Sequence, residues 1–166
     1  DSIDFVMDVN GFKGPNSEAR NGKQYDIRSF KVARFSKGCA GVDIDGIGCV
    51  YELPSYSPLK WNDSELTKYD PKWKQDKEWW AGRDNYWAGA KKACDDIEMS
   101  LPEINLLQKI YKKIIDNPNL GLPTTGYFWS ATDGDMGGAK DFYFDGGYSV
   151  NYAKLDPVHK VLCVGN

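Results

Sequence analysis

Oxygen-bearing side chains gather at three places along the chain, and such clusters can hold calcium. Asp8, Asn10 and Asp26 form one set, Asp43 and Asp45 a second, and Asp133, Asp135, Asp141 and Asp145 a third. Calcium takes about six to eight oxygens, several of them carboxylate or backbone carbonyl. No set has the DxDxDG pattern with a glutamate at the twelfth position. The plainer reading is that Asp and Asn build tight turns by bonding their own backbone. Asp8, Asn10 and Asp26 are the candidate calcium ligands. A second chemistry is aromatic. Trp73, Trp79 and Trp80 stand in a polar stretch, where tryptophan can stack on a sugar ring or anchor a protein partner. Their other reading is a cover over the core. Catalysis has less to work with. His159 is the one histidine, and GxSxG, HExxH and an ordered Ser/His/Asp set are all absent. Acid pairs suited to glycoside hydrolysis occur in any acidic chain. No enzyme is expected.

The four cysteines, Cys39, Cys49, Cys94 and Cys163, show no CxxC spacing and allow three pairings. Cys39 with Cys49 and Cys94 with Cys163 is a pairing that needs no crossing. Disulfides imply an oxidising, extracellular setting. The alternative, four buried thiols in a cytosolic protein, fits less well with a chain so rich in Tyr, Trp, Gly and Asn. The 166 residues suit one domain, or one core with an appendage. The net charge of -3 is mixed in sign, without a lone Lys/Arg block, so no nucleic-acid partner is expected. No apolar run is long enough to span a bilayer. The chain starts at Asp1, not Met, and shows no signal peptide, so a mature or trimmed form is expected.

The elements that must position these groups follow in order. Residues 3–9 read as a strand ended by Asn10-Gly11, and residues 25–35 as a second strand with a break that allows a bulge. Cys39 to Cys49 reads as a tight hairpin with Asp45-Gly46 at its tip. Residues 51–84, interrupted by Pro54, Pro58 and Pro71, read as a long ordered loop with a helical turn near 64–69. Asp84 is placed as the N-cap of a helix over 85–97, with Tyr86, Ala90 and Cys94 on one face. Ser100 and Glu103 fit a capping box for a second helix running to about 116, with Pro102 in its first turn. Its stripe is Ile104, Leu107, Tyr111 and Ile114, widened by Leu106, Ile110 and Ile115. Strands follow over 126–132, 139–144 and 148–153, the last two joined across Asp145-Gly146-Gly147. A final strand over 158–164 carries His159 and Cys163. Helices followed by an antiparallel sheet make the fold class α+β.

Two resemblances enter here. The run DVNGFKGPN with Gly22 and Asp26 resembles the DVNGxKGPNxxGxD stretch of type IV pilin and pseudopilin globular heads, with a longer spacer at 17–21 and an extra Gln24-Tyr25. It implies a pilin-like β segment, residues 1–58, packed on the core, with an apolar N-terminal helix removed ahead of residue 1. The ordered set Trp87-x-x-Ala90-x-x-x-Cys94, Met99-Ser100-Leu101-Pro102, Leu106-Leu107, Gly126-Tyr127-Phe128-Trp129-Ser130-Ala131-Thr132 and Val161-Leu162-Cys163-Val164 resembles the C-type-lectin-like fold. It is similar to bacterial surface versions such as the C-terminal domain of the Legionella collagen-like adhesin. That resemblance implies a lectin-like domain over 59–166, a disulfide from first helix to last strand (Cys94 to Cys163), and a ligand face at the loops. It thereby adds Asp133, Asp135 and Met136 to the candidate ligand residues. Trp61-Asn62-Asp63 reads like the family's WND, but precedes the first helix, and no EPN or QPD occurs. The usual calcium-dependent sugar site is therefore not implied. The function expected is an extracellular, non-catalytic binding module of a bacterial surface protein or pilus, with a carbohydrate or protein-surface ligand. The alternative is a structural pilin or pseudopilin subunit that contacts other pilin subunits and has no ligand of its own.

Overall fold

The computed structural model describes residues 38–73 and 82–165. The expected strands over 3–9 and 25–35, the calcium candidates Asp8, Asn10 and Asp26, and Trp79 and Trp80 lie outside the described residues. The chain divides into two compact units, Asp1–Gly38 and Cys39–Asn166. The hairpin between Cys39 and Cys49 and the segment that follows it therefore belong to the second unit.

That unit mixes helices with two antiparallel sheets. The elements are β1 (Val42–Ile44), β2 (Gly48–Glu52), α1 (Leu66–Tyr69), α2 (Tyr86–Asp96), α3 (Ile104–Asp116), a 3-10 turn (Pro118–Leu120), β3 (Tyr127–Asp133), β4 (Gly138–Tyr143), β5 (Tyr148–Ala153) and β6 (Leu162–Gly165). One sheet has the order β1-β2-β6 and the other β3-β4-β5. The hairpin turn at 45–47 joins β1 to β2, and a disulfide links Cys39 to Cys49 across its base. The second disulfide joins Cys94 in α2 to Cys163 in β6. All four cysteines are paired. Two disulfides fit an oxidising, non-cytoplasmic compartment. Among the described residues no helix is long and apolar enough to cross a membrane.

The apolar run in β3 has a simple cause: both faces of its sheet are covered. Phe128 and Phe142, directly opposite one another, pack with Leu107, Ile110 and Ile114 of α3. On the other face Trp129 and Ala139 pack with Trp87, Ala90 and the Cys94–Cys163 bridge. A third cluster joins Leu59, Leu66, Tyr69 and Trp73 to Ala88 of α2. Helix α2 approaches the loop at 57–58 so closely that a Cβ on Gly89 would sit 2.1 Å from the Ser57 carbonyl oxygen.

Three local expectations are corrected. Asn85, not Asp84, caps α2. Its buried side chain accepts from the Ala88 N–H at 2.8 Å, so the helix starts one residue later. Ser100 does not cap α3, because its backbone is taken by a two-way bridge to Val164, at 2.8 and 2.7 Å. Thr132 of β3 serves instead: its Oγ1 accepts from the Ile104 N–H at 2.8 Å and donates to the Glu103 carboxylate at 2.7 Å. A cap donated from another element leaves no local sequence signature. The last strand is also shorter than expected. His159 precedes it, in the connection where residue 160 bridges to Phe128.

Candidate functional site

The loop between β3 and β4 is built around an inserted side chain. Asn151 of β5 accepts from the Asp135 N–H and donates to the Asp135 carbonyl, both at 3.0 Å. It fits because Gly134 lacks a Cβ, which would otherwise meet Asn151 Oδ1 at 1.8 Å. Asp133 Oδ1 accepts from the Gly134 N–H at 2.8 Å, and the Lys154 N–H reaches the Gly137 carbonyl at 3.1 Å. So clamped, the loop holds Met136 at a φ of 52° and leaves its side chain 95% exposed. Residues other than glycine rarely occupy that left-handed region, and an apolar side chain gains nothing from water there.

Met136 stands at the rim of a cleft of about 220 Å³ lined by Lys72, Trp73, Gly134, Asp135, Gly137 and Lys154. Beneath it lies a charge network. Lys154 Nζ is 2.9 Å from Asp70 Oδ2 and 2.9 Å from Asp133 Oδ1, and Lys72 Nζ is 2.9 Å from Asp133 Oδ2. Asn85, the cap of α2, donates to the same Asp70 oxygen at 2.9 Å. The Trp87 ring receives two cations, Lys91 at 4.1 Å and Lys154 at 4.3 Å from its centre. Burial pushes the Asp133 carboxyl up, but the hydrogen bonds from Lys154 and Lys72 outweigh it and hold it below its ordinary value. Burial lowers Lys91, whose ammonium donates to the Tyr69 carbonyl at 2.9 Å.

Of the residues singled out in the sequence, Trp73, Asp133, Asp135 and Met136 thus come together in one place. Trp73 is buried with Leu59, Leu66 and Tyr69, so it forms the floor of the cleft and not an outer stacking face. Lys72, Lys154, Asp70 and Asn151 carry the site equally and were not anticipated. A lysine in a mixed-charge stretch reads as solvated, and only the tertiary fold shows that Lys154 is enclosed. Among the described residues no group of three or more His, Cys, Asp or Glu side chains could hold a metal ion. Several described acids have other partners: Asp141 accepts from the Val150 N–H, Asp145 from the Gly126 N–H, and Asp63 from the Glu65 N–H.

His159 does meet acids. Its Nε2 is 2.6 Å from Asp141 Oδ2, its Nδ1 contacts Asp156 Oδ2, and the ring stacks on Trp129 at 4.0 Å. Carboxylate oxygens only accept, so the two contacts need a proton on each ring nitrogen or one on a carboxyl. His159 also lines a hollow of about 300 Å³, with Glu52, Tyr56 and Lys160 among others. The imidazole itself has no exposed surface. Compared with family models, curated proteins and solved structures, the chain finds no match in any of the three.

Proposed function

We propose that this chain is an extracellular, non-catalytic binding module of a bacterial surface protein, built on a C-type-lectin-like fold, with carbohydrate as its ligand. The observation that carries the reading is Met136, held in a strained backbone conformation with its side chain in water at the rim of a charged cleft. Strain of this kind persists only where surrounding structure enforces it, and it concentrates at ligand sites. Lys72 and Asp135 offer donors and acceptors to hydroxyls, and Met136 offers an apolar contact to a ring face. The cleft is small, which suits a sugar unit better than a protein hot spot. Two helices ahead of an antiparallel sheet, with α2 tied to the last strand through Cys94 and Cys163, support the fold assignment.

The test is a glycan array on the purified chain, with and without chelator. Binding to a defined set of glycans is expected, weakened at least about tenfold by Met136→Asn. Asparagine adopts the left-handed conformation more readily, so folding stability should hold or rise by up to about 1 kcal/mol. Loss of binding on chelation would bring calcium into the site. Silence across the array would sink the ligand reading in favour of a structural pilus subunit. The exposed edge strand β5, with Tyr148 and Tyr152 outward, is the surface such a subunit would use.

A further inference from the structure

Lys154 and Asp70 are 2% and 1% exposed, and their reactive atoms are in contact: Nζ lies 2.9 Å from Oδ2. A second carboxylate, Asp133, touches the same nitrogen at 2.9 Å. The Trp87 ring stands 4.3 Å from Nζ, so the setting is aromatic as well as enclosed. The two oxygens of Asp70 differ sharply. Oδ2 is held by the Asn85 amide at 2.9 Å, whereas Oδ1 is buried and has no hydrogen-bond partner among the described residues. A buried ion pair gains little over neutral groups once desolvation is counted, and an orphaned carboxylate oxygen adds to the penalty.

We propose that Lys154 and Asp70 join through an intramolecular amide bond, formed by the folded chain without an added reagent. Asp133 takes one proton from the Lys154 ammonium. The freed amine attacks Cγ of Asp70, the C–N bond forms, and the C–Oδ1 bond breaks. The proton held by Asp133 and the second proton shed by nitrogen both go to Oδ1, which leaves as water. Lysine contributes two hydrogens, Asp70 one oxygen, and Asp133 ends as it began, a carboxylate. No oxidant or reductant is involved. Oδ2 remains as the amide carbonyl and keeps its hydrogen bond from Asn85. The product removes two buried charges and the orphaned oxygen together. Fixed placement of the two groups supplies the proximity that a free amine and acid lack. Asp70 also lacks the common competing dehydration. Ring closure to a succinimide needs the N–H of the next residue, and that residue is Pro71, which has none.

The amide would tie the loop after α1 to the connection after β5 and so brace the floor of the cleft. It is independent of whether the cleft binds a sugar. Mass spectrometry of the intact, reduced chain tests it. The expected mass is that of the sequence less one water, with tandem fragmentation placing the link between the peptides that carry Asp70 and Lys154. Lys154→Arg keeps the charge and should return the full sequence mass, and Asp133→Asn should leave the two peptides unlinked. A reduced chain at full sequence mass overturns the proposal. So does a water loss that persists in Lys154→Arg, which would mark succinimide at an Asp-Gly pair such as Asp133-Gly134. Should Lys154→Arg fail to fold, the peptide map of the unsubstituted chain decides alone.

Discussion

Asp133 is pulled in two directions, and the balance sets how the protein responds to acid. Enclosure favours the neutral acid, and Lys72, together with Lys154 for as long as its ammonium stays free of the proposed amide, favours the carboxylate more strongly. With the folded value held below the unfolded one, its contribution is present at neutral pH and disappears as pH falls through the folded value, below the ordinary 3.8. Asp133→Asn is therefore expected to be less stable at pH 7 and to lose stability less steeply below pH about 4, as read by thermal melts across a pH series. An unchanged acid slope would remove Asp133 from the account. His159 stands between two acids, Asp141 and Asp156, in a drier place. His159→Leu leaves the Asp141 and Asp156 carboxylates facing each other without the group between them, and should lower stability by about 3–5 kcal/mol in denaturant titration. Neither role could be read from the sequence. Asp133 sits beside residues that explain nothing of its ion pairs, and His159 has only Asp156 of its two acids nearby in sequence. Their partners Lys154, Lys72 and Asp141 come from other elements, and a single polar letter carries no mark of its burial.

At the scale of elements, the sequence was more informative where a signal is local and periodic. The stripe of α3 falls where its spacing puts it, with Leu107, Ile110 and Ile114 buried, although Ile115 at the stripe's edge turns outward. The turn residues Asp45-Gly46 and Asp145-Gly146-Gly147 mark two of the hairpins. Caps were less legible, because Thr132 reaches α3 from a strand and Asn85 displaced its neighbour Asp84. Helix α2 shows the opposite conflict, in which tertiary packing overrides propensity. Alanine in place of Gly89 would favour an isolated helix by about 1 kcal/mol. Here the added methyl would meet the Ser57 carbonyl at 2.1 Å and the Pro58 Cα at 2.8 Å, both backbone atoms. Gly89→Ala should therefore destabilise the fold by about 1–3 kcal/mol in a denaturant series, the range for overpacking. A stabilised variant would mean that α2 is free to move away from the 57–58 loop.

Across the whole second unit, two covalent ties close loops of very different size, and they should not be worth the same. The sulfurs of Cys39 and Cys49 join residues 10 apart, and those of Cys94 and Cys163 residues 69 apart. Loop-closure entropy alone assigns about 3 kcal/mol to the first and about 4 kcal/mol to the second. Burial widens the gap: Cys94 and Cys163 are enclosed against Trp87, Trp129 and Val161, so alanines there also leave a void, whereas Cys39 is only half-buried. Cys94→Ala/Cys163→Ala should thus melt well below Cys39→Ala/Cys49→Ala, each compared with the unsubstituted chain under non-reducing conditions. Equal losses would show that the long bridge does not organise the unit. The proposed Lys154–Asp70 amide modifies this expectation in a measurable way. With it in place, the unfolded chain already holds Cys94 and Cys163 on a path of roughly half the length, which trims the entropic part of the long bridge by about half a kcal/mol. Repeating the pair of measurements in a Lys154→Arg background should therefore widen the difference between the two disulfides. If that background leaves the difference unchanged, the two ties do not share a loop.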